Sequence, residues 1–553
     1  MELFVFTHHS NAQPHIITLP NSFFYFCTLY QTFHNDMISL GGKPLDIAAF
    51  EQIVLHQKDI NISATAIKEV TRSYQFLQSF SKDKLIYGIN TGFGPMAQYR
   101  IDDNDRKELQ YNLIRSHSSG MGQLLSPLHT RALMLSRLNT MLLGYSGIHP
   151  ETVQLITDLI NNEAYPCVYA HGGVGASGDL VQLAHLALGL IGEGEFWFEG
   201  SIQKADKVFK KLKLKPLSIH IREGLAILNG TSAMNGIGGV NVIMAHRLVI
   251  WSTLLSLMIN EMMEAYDDHF SVELNGVKRH NGQQQIASWM RAFGDKSKLL
   301  RKRHEYLYDK KVTEDVLVDK VQEYYSLRCV PQILGPIYDT VLNTEKVIID
   351  EINSVNDNPI IDRKNKNIFH GGNFHGDYVA LEMDKLKIAV TKLSMLADRQ
   401  LNFILNPALN GKLPPFANAG RLGLNFGIQG MQYPATSTVA ENQSLSTPMY
   451  IHSIPNNNDN QDIVSMGCNA AVMCSRVIDN AYEVLAVELI ALVQAIDIRG
   501  ISSKLSPATK WLYNGARSIF PYFKEDFAPS QKMREVKNWL TETDITGHFH
   551  KQL

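Results

Sequence analysis

Cysteine is scarce in this chain and poorly placed for bridging: five among 553 residues, Cys27, Cys167, Cys329, Cys468 and Cys474, with no CxxC pair. An odd, scattered set excludes a disulfide framework and a thiolate zinc site, and predicts a reduced, cytoplasmic protein. No HExxH occurs either, so no metal is expected. Charge of one sign is missing: 52 Lys and Arg stand against 54 Asp and Glu, interspersed, for a formal net charge of -2. That excludes a basic face for nucleic acid. The almost continuously apolar stretch Val484 to Ile496 is interrupted by Glu483 and Glu488 and falls short of the ~18 residues a membrane span needs, so it belongs inside protein rather than lipid. Repeats and low-complexity linkers are absent, apart from the polar cluster Asn456-Asn457-Asn458-Asp459-Asn460-Gln461-Asp462.

What is present is apolar content, 45% of residues, enough for a large core and set at helical spacing. Leu386, Ala389, Val390, Leu393, Leu396 and Ala397 recur three and four apart, with Lys385, Lys387, Lys392 and Arg399 between them. This predicts a long bundle helix over Tyr378 to Leu405. Further helices are predicted over Leu124 to Leu143, Met234 to Ala265, Pro331 to Val355 and Arg476 to Ile498, whereas strand signals are short and few. The fold class is therefore all-α, as one elongated body.

The segment Gly173-Val174-Gly175-Ala176-Ser177-Gly178-Asp179-Leu180 admits two chemical readings. Gly173, Gly175 and Gly178 satisfy the GxGxxG spacing of a dinucleotide loop, with a helix-like run from Leu180 to Leu190 and acids Glu195 and Glu199 about 20 residues on. Against it, the preceding Tyr165 to Ala170 is a short strand candidate broken by Pro166, and no strand-helix alternation surrounds it. The other reading is self-cyclisation. If a tight bend brings the Gly178 nitrogen onto the Ala176 carbonyl carbon, ring closure with loss of water gives an imidazolone, and dehydration of Ser177 supplies an exocyclic methylidene. Glycine bares the attacking nitrogen, alanine leaves the carbonyl accessible, and serine carries the hydroxyl to be eliminated.

Four other blocks bear on that choice: Tyr87-Gly88-Ile89-Asn90-Thr91-Gly92-Phe93-Gly94, Leu228-Asn229-Gly230-Thr231, Gln322-Glu323-Tyr324-Tyr325-Ser326-Leu327-Arg328 and Gly371-Gly372-Asn373-Phe374-His375. With GGVGASGDL, their order and spacing resemble the aromatic amino acid ammonia-lyase family, from about Ile38 to the C-terminal region. The resemblance implies a 4-methylidene-imidazol-5-one group (MIO) formed from Ala176, Ser177 and Gly178, with no metal and no dissociable cofactor. It also implies a fold of the ammonia-lyase and fumarase-like superfamily: a mainly helical MIO-bearing domain over 38–240, a central bundle over 241–510 and a helical tail over 511–553. A homotetramer with shared active sites is implied as well, acting on an aromatic amino acid with no membrane or nucleic-acid partner. Residues 1–37 read as an extension that the body does not need: the segment is rich in His, Phe and Tyr, lacks a charged n-region, and its apolar stretch from Phe23 to Tyr30 is broken.

The resemblance also implies roles for side chains. Elimination needs a strong base for a scarcely acidic β-proton, and Tyr87 matches the family's catalytic tyrosine; a phenolate is a stronger base than a carboxylate. Gln322, Tyr325 and Arg328 are spaced three apart and share one face if helical. Arg328 suits the substrate carboxylate, because its planar fork binds two oxygens at once. Tyr325 supports catalysis, Asn229 and Gln322 position substrate and prosthetic group, and Phe374 packs near the ring. Asn356-Asp357-Asn358-Pro359 reads as structural, a polar turn before an extended residue.

Two positions bear on the substrate, and they disagree. His117, after Ser116, matches histidine ammonia-lyases. Gln461, after Asn460, stands where histidine lyases carry glutamate and where phenylalanine and tyrosine lyases carry glutamine. A neutral amide cannot be the charge partner of an imidazole, while His117 can still hydrogen-bond a phenol. The combination resembles bacterial tyrosine ammonia-lyases associated with aryl pigment biosynthesis, so L-tyrosine to trans-4-coumarate is the first expectation, with a histidine ammonia-lyase or a tyrosine 2,3-aminomutase as alternatives.

Overall fold

The computed structural model describes residues 37–553 apart from 83, 310–312, 314, 318 and 319. The expectation about the N-terminal extension, and Cys27 with it, lies outside the described residues save for Met37. Eight helices set up the site: α1 (Arg106–His117), α2 (Pro127–Leu142), α3 (Leu180–Leu190), α4 (Ser232–Met263), α5 (Val330–Ile352), α6 (Asp377–Leu405), α7 (Gln429–Leu445) and α8 (Gly467–Arg499). The long helices fall where apolar spacing predicts them. α8 alone starts well before its predicted Arg476, because Gly467, Cys468, Ala470 and Ala471 are small residues buried at a helix contact and carry little periodic signal. It stops at Gly500, whose left-handed φ of 64° lets its N–H return to the Asp497 carbonyl.

α4 is the axis of the molecule. It is long and apolar enough to cross a membrane, yet 89% of its most apolar window is buried in protein, as befits a helix that is hydrophobic all round. α5, α6, α8 and α2 pack against it. It also runs through residue 240, the expected domain boundary, so the glycine-rich region and the bundle share this helix.

Hydrogen bonds at the helix ends fix the direction of each. α4 begins where Asp179 Oδ2 accepts the Ala233 and Met234 N–H groups at 2.9 and 2.8 Å. α6 and α8 begin at the same place, through Gly376 N–H to the Gly175 carbonyl at 3.1 Å and Met466 N–H to the Val174 carbonyl at 2.9 Å. At the other end, Asn260 donates to the Leu327 carbonyl at 3.3 Å and Gln400 to the Ser326 carbonyl at 2.7 Å. There Glu264 meets Lys412, Arg301 and Arg499 at 2.6, 3.2 and 3.3 Å. Against the cost of burial, these cations hold the Glu264 carboxyl down to about 2. α5 starts at this far end and runs back, so that Asn356, just beyond it, lies against Gly230.

Strands are peripheral. Tyr165–Pro166, Glu195–Phe198 and Ser201–Lys204 form an antiparallel sheet, and Tyr169–His171 pairs antiparallel with Met121–Leu124. The strands flanking the glycine-rich loop are thus antiparallel, whereas a dinucleotide loop requires a parallel βαβ unit.

Candidate active site

The glycine-rich loop sits between α4, α6 and α8, and its backbone is held from several directions. Gly178 has φ +73°, and a Cβ there would lie 2.0 Å from the Gly230 carbonyl oxygen. Only glycine fits both the conformation and the approach. Gly178 pairs with Gly230, and the Asp179 N–H bonds the Gly230 carbonyl at 2.8 Å. Gly175 has φ +77°, with Ser465 Oγ 2.0 Å from where its Cβ would be. Ala176 is buried, and its carbonyl faces His375 Nδ1 at 3.3 Å. The Ser177 carbonyl accepts from Asn229 Nδ2 at 3.2 Å, and the Ser177 hydroxyl accepts from Gln461 Nε2 at 3.0 Å. The three residues of the expected ring are therefore gripped by Gly230, Asn229, His375 and Gln461, drawn from three distant segments.

Tyr87 belongs to this end. Its hydroxyl accepts the Gly94 N–H at 3.1 Å, and its ring meets Phe93 edge-on at 6.2 Å. Gly94 in turn lies against Asn457, whose Nδ2 would be 2.8 Å from a Cβ there. Asn457, Asn458 and Asp459 take left-handed φ values of 56°, 52° and 57°, which Asn and Asp tolerate better than other side chains. That tight turn closes through the paired backbones of Asn456 and Gln461 and presents the Gln461 amide to Ser177. Asn460 is exposed, and its N–H bonds the Asn457 carbonyl at 3.2 Å; it shapes the turn.

His117 ends α1, which packs on α3 and on Glu223–Leu228, the short helix leading into Asn229. Its Nδ1 lies 3.0 Å from the Leu113 carbonyl. The Ser116 hydroxyl lies 3.0 Å from the same nitrogen: protonated at Nδ1, the ring donates to the Leu113 carbonyl and leaves Nε2 as an acceptor, and protonated at Nε2 it accepts from Ser116. Burial, outweighing the Leu113 bond, lowers the His117 pKa and favours this neutral ring.

Two residues that sequence reasoning passed over touch the loop. His375 reaches the Ala176 carbonyl, and Phe374 is half-buried beside it. Asp179 is fully buried, and burial pushes its carboxyl up to about 7 against the pull of its bonds from Met234 and Ala233. Its role is an N-cap supplied from outside the helix it caps, so no local pattern could reveal it.

Gln322, Tyr325 and Arg328 are brought together, but elsewhere. Helix begins only at Tyr325, so Gln322 lies outside it, contrary to the shared helical face. Arg328 nonetheless folds back to donate to Gln322 Oε1 at 2.6 Å and to the Glu323 carbonyl at 3.0 Å, with its guanidinium 4.6 Å from the Tyr325 ring centre. These residues, with Lys320 and Tyr324, line an open cavity of about 380 Å³. Leu327 is tied to Asn260, near the end of α4 opposite Asp179. At a rise of ~1.5 Å per residue, the two groups stand roughly 40 Å apart in one chain.

Fold and loop together define an enzyme of the aromatic amino acid ammonia-lyase and aminomutase type. The chain belongs to that family: its profile, described as Aromatic amino acid lyase, matches residues 45–518. The chain is 35% identical over 505 residues to a histidine ammonia-lyase of Shouchella clausii (strain KSM-K16), covering 91% of this chain and 98% of that one. It is 37% identical over 492 residues to an MIO-dependent tyrosine 2,3-aminomutase of Streptomyces globisporus, covering 88% and 91%. The crystal structure of tyrosine aminomutase from Streptomyces globisporus superposes with a TM-score of 0.89 at 34% identity, covering 94% of this chain and 99% of that one.

Proposed function

We propose that this enzyme eliminates ammonia from L-tyrosine to give trans-4-coumarate. The observation that carries the reading is the Gln461 amide bonded to the Ser177 hydroxyl, together with His117, which offers Nε2 as an acceptor when Nδ1 donates to Leu113. A histidine substrate would lack a carboxylate partner at Gln461, whereas a phenol O–H can donate to His117 Nε2.

The residues present fit an MIO group. The Gly178 backbone is clear of a side chain where it meets Gly230, Asn229 holds the Ser177 carbonyl, and Gln461 holds the hydroxyl that dehydration removes. When formed, the group supplies the electrophile that makes the amine a leaving group. Tyr87, oriented by the Gly94 N–H, removes the β-proton. Arg328 binds the substrate carboxylate in a fork, and Gln322 sets the angle of that fork. Tyr325 flanks the Arg328 guanidinium and supports catalysis from there.

Because Arg328 lies roughly 40 Å from Ser177 along α4, the clamp for each loop comes from another copy in a homotetramer. Exposed Leu422, Leu424, Phe426, Tyr433, Ile451 and Ile454, each at least 57% accessible, support such a covered surface. Scattered free thiols favour a cytoplasmic setting.

Tyrosine 2,3-aminomutase is the second reading, favoured by the relative of that name. It uses the same residues and returns ammonia to the β-carbon. The test supplies tyrosine, histidine and phenylalanine separately at alkaline pH and follows ultraviolet product formation, with chromatography for β-tyrosine. Coumarate from tyrosine supports the proposal; β-tyrosine as the main product transfers it to the mutase, and urocanate from histidine overturns it.

A further inference from the structure

We propose that His149, Glu151 and His220 form a binding site for a borderline divalent cation of the Zn²⁺ class. They are the one trio of His, Cys or acidic side chains among the described residues whose donor atoms converge, all within 4.8 Å of one another. The imidazoles stack at 4.5 Å with 28° between planes, and the Tyr74 ring meets both edge-on at 5.0 and 5.9 Å.

The pair is locked from behind. One buried carboxylate, Glu223, accepts the backbone N–H of His149 through Oε1 at 2.9 Å and the backbone N–H of His220 through Oε2 at 2.6 Å. The backbones of two histidines far apart in sequence are thus held together by a single side chain, which lowers the ordering cost of bringing their rings to one ion. Glu151 is exposed, with Oε2 3.6 Å from His149 Nδ1. Donor distances of ~2.0–2.2 Å to a tetrahedral ion place the donors roughly 3.3 Å apart, so binding requires Glu151 to swing inward and the stacked rings to tilt, with His149 Nδ1 either giving up its bond from the Glu151 N–H or leaving Nε2 to bind.

The electrostatics favour a cation. His149 caps the N-terminus of the helix Pro150–Asn161, which repels positive charge, but Glu151 and Glu223 outweigh it. Two imidazoles and one carboxylate suit Zn²⁺, Co²⁺ or Ni²⁺ rather than Mg²⁺ or Ca²⁺. His220 and Tyr74 also line a cavity of about 870 Å³, which gives the ion an entry and room for water ligands.

The site stands apart from the reacting residues yet is joined to them. Glu223 opens the helix Glu223–Leu228, and the next residue, Asn229, holds the Ser177 carbonyl. A bound ion braces that support.

The test uses the full-length, tag-free enzyme freed of metal with chelator and titrated calorimetrically with Zn²⁺ alone. Saturation at one ion per chain is expected, with a rise in Tm. Affinity should fall at least roughly tenfold in Glu151→Gln, His149→Ala and His220→Ala, each of which removes one ligand. Glu151 is exposed, so Glu151→Gln keeps the test valid if a histidine variant folds poorly. No saturable binding, or binding of unchanged affinity in Glu151→Gln, overturns the site.

Discussion

The two ends of α4 are built on opposite principles. At its N-terminal end, Ser177 is bonded through both its carbonyl and its hydroxyl to segments far away in sequence, and the capping Asp179 is fully buried. At its C-terminal end, Tyr325 is 69% exposed, and Arg328 is held mainly by its own neighbours Gln322 and Glu323 over an open cavity. The first end is tied down by bonds from three segments, which suits a loop that must be held bent if it is to cyclise. The second presents the Arg328 guanidinium beside an open cavity, roughly 40 Å from Ser177. On the proposed assignment of roles, the two groups that one chain holds apart would be completed by another copy.

The largest effect belongs to the closed end. Ser177→Ala removes the hydroxyl that becomes the methylidene, so elimination should fall by ~10³-fold or more in a protein that still folds. Its intact mass should lack the two-water deficit expected of the wild type. Near-wild-type turnover would break the loop assignment.

Mixing sharpens the comparison next. Tyr87→Phe damages one end and Arg328→Ala the other, and each should be nearly inactive alone. Co-assembled in equal amounts, sites shared between copies should recover about a quarter of wild-type activity, because random pairing leaves that fraction with both halves intact. No recovery from verified mixed tetramers would place each site within one chain.

A smaller change tests substrate choice. His117→Phe should shift the tyrosine-to-phenylalanine ratio of kcat/KM by roughly 10- to 100-fold towards phenylalanine, through loss of one buried hydrogen bond to the phenol. An unchanged ratio removes His117 from ring recognition.

The smallest effect concerns stability. The Asp179 carboxyl rises from 3.8 to about 7 on folding, so across that window the folded state binds more protons than the unfolded state. Stability from this group is present at low pH and is lost as pH rises towards 7. Asp179→Asn keeps an acceptor for the α4 N-terminus and removes the titration. Its Tm should fall less than that of the wild type between pH 4 and 7; parallel curves would mean that Asp179 is ionised throughout.

Much of this molecule was legible from the chain alone. Periodicity located α2, α4, α5 and α6 because each buries a face or its whole circumference, and burial selects residue type along the chain. The Ala-Ser-Gly triplet and its flanking glycines were legible too, since Gly178 and Gly175 occupy conformations and contacts that admit no side chain. Family membership follows from such local demands. Tertiary structure alone decided what meets across distance: Asp179 capping a helix that starts at Ser232, His375 at the Ala176 carbonyl, Arg328 reaching a non-helical Gln322, and Glu223 drawing His149 and His220 together. A hydrogen bond between remote segments leaves almost no periodic mark in sequence, because a single polar atom suffices for it. The roughly 40 Å between the two ends was hidden for the same reason: it is set by the length and direction of one packed helix, which no motif encodes.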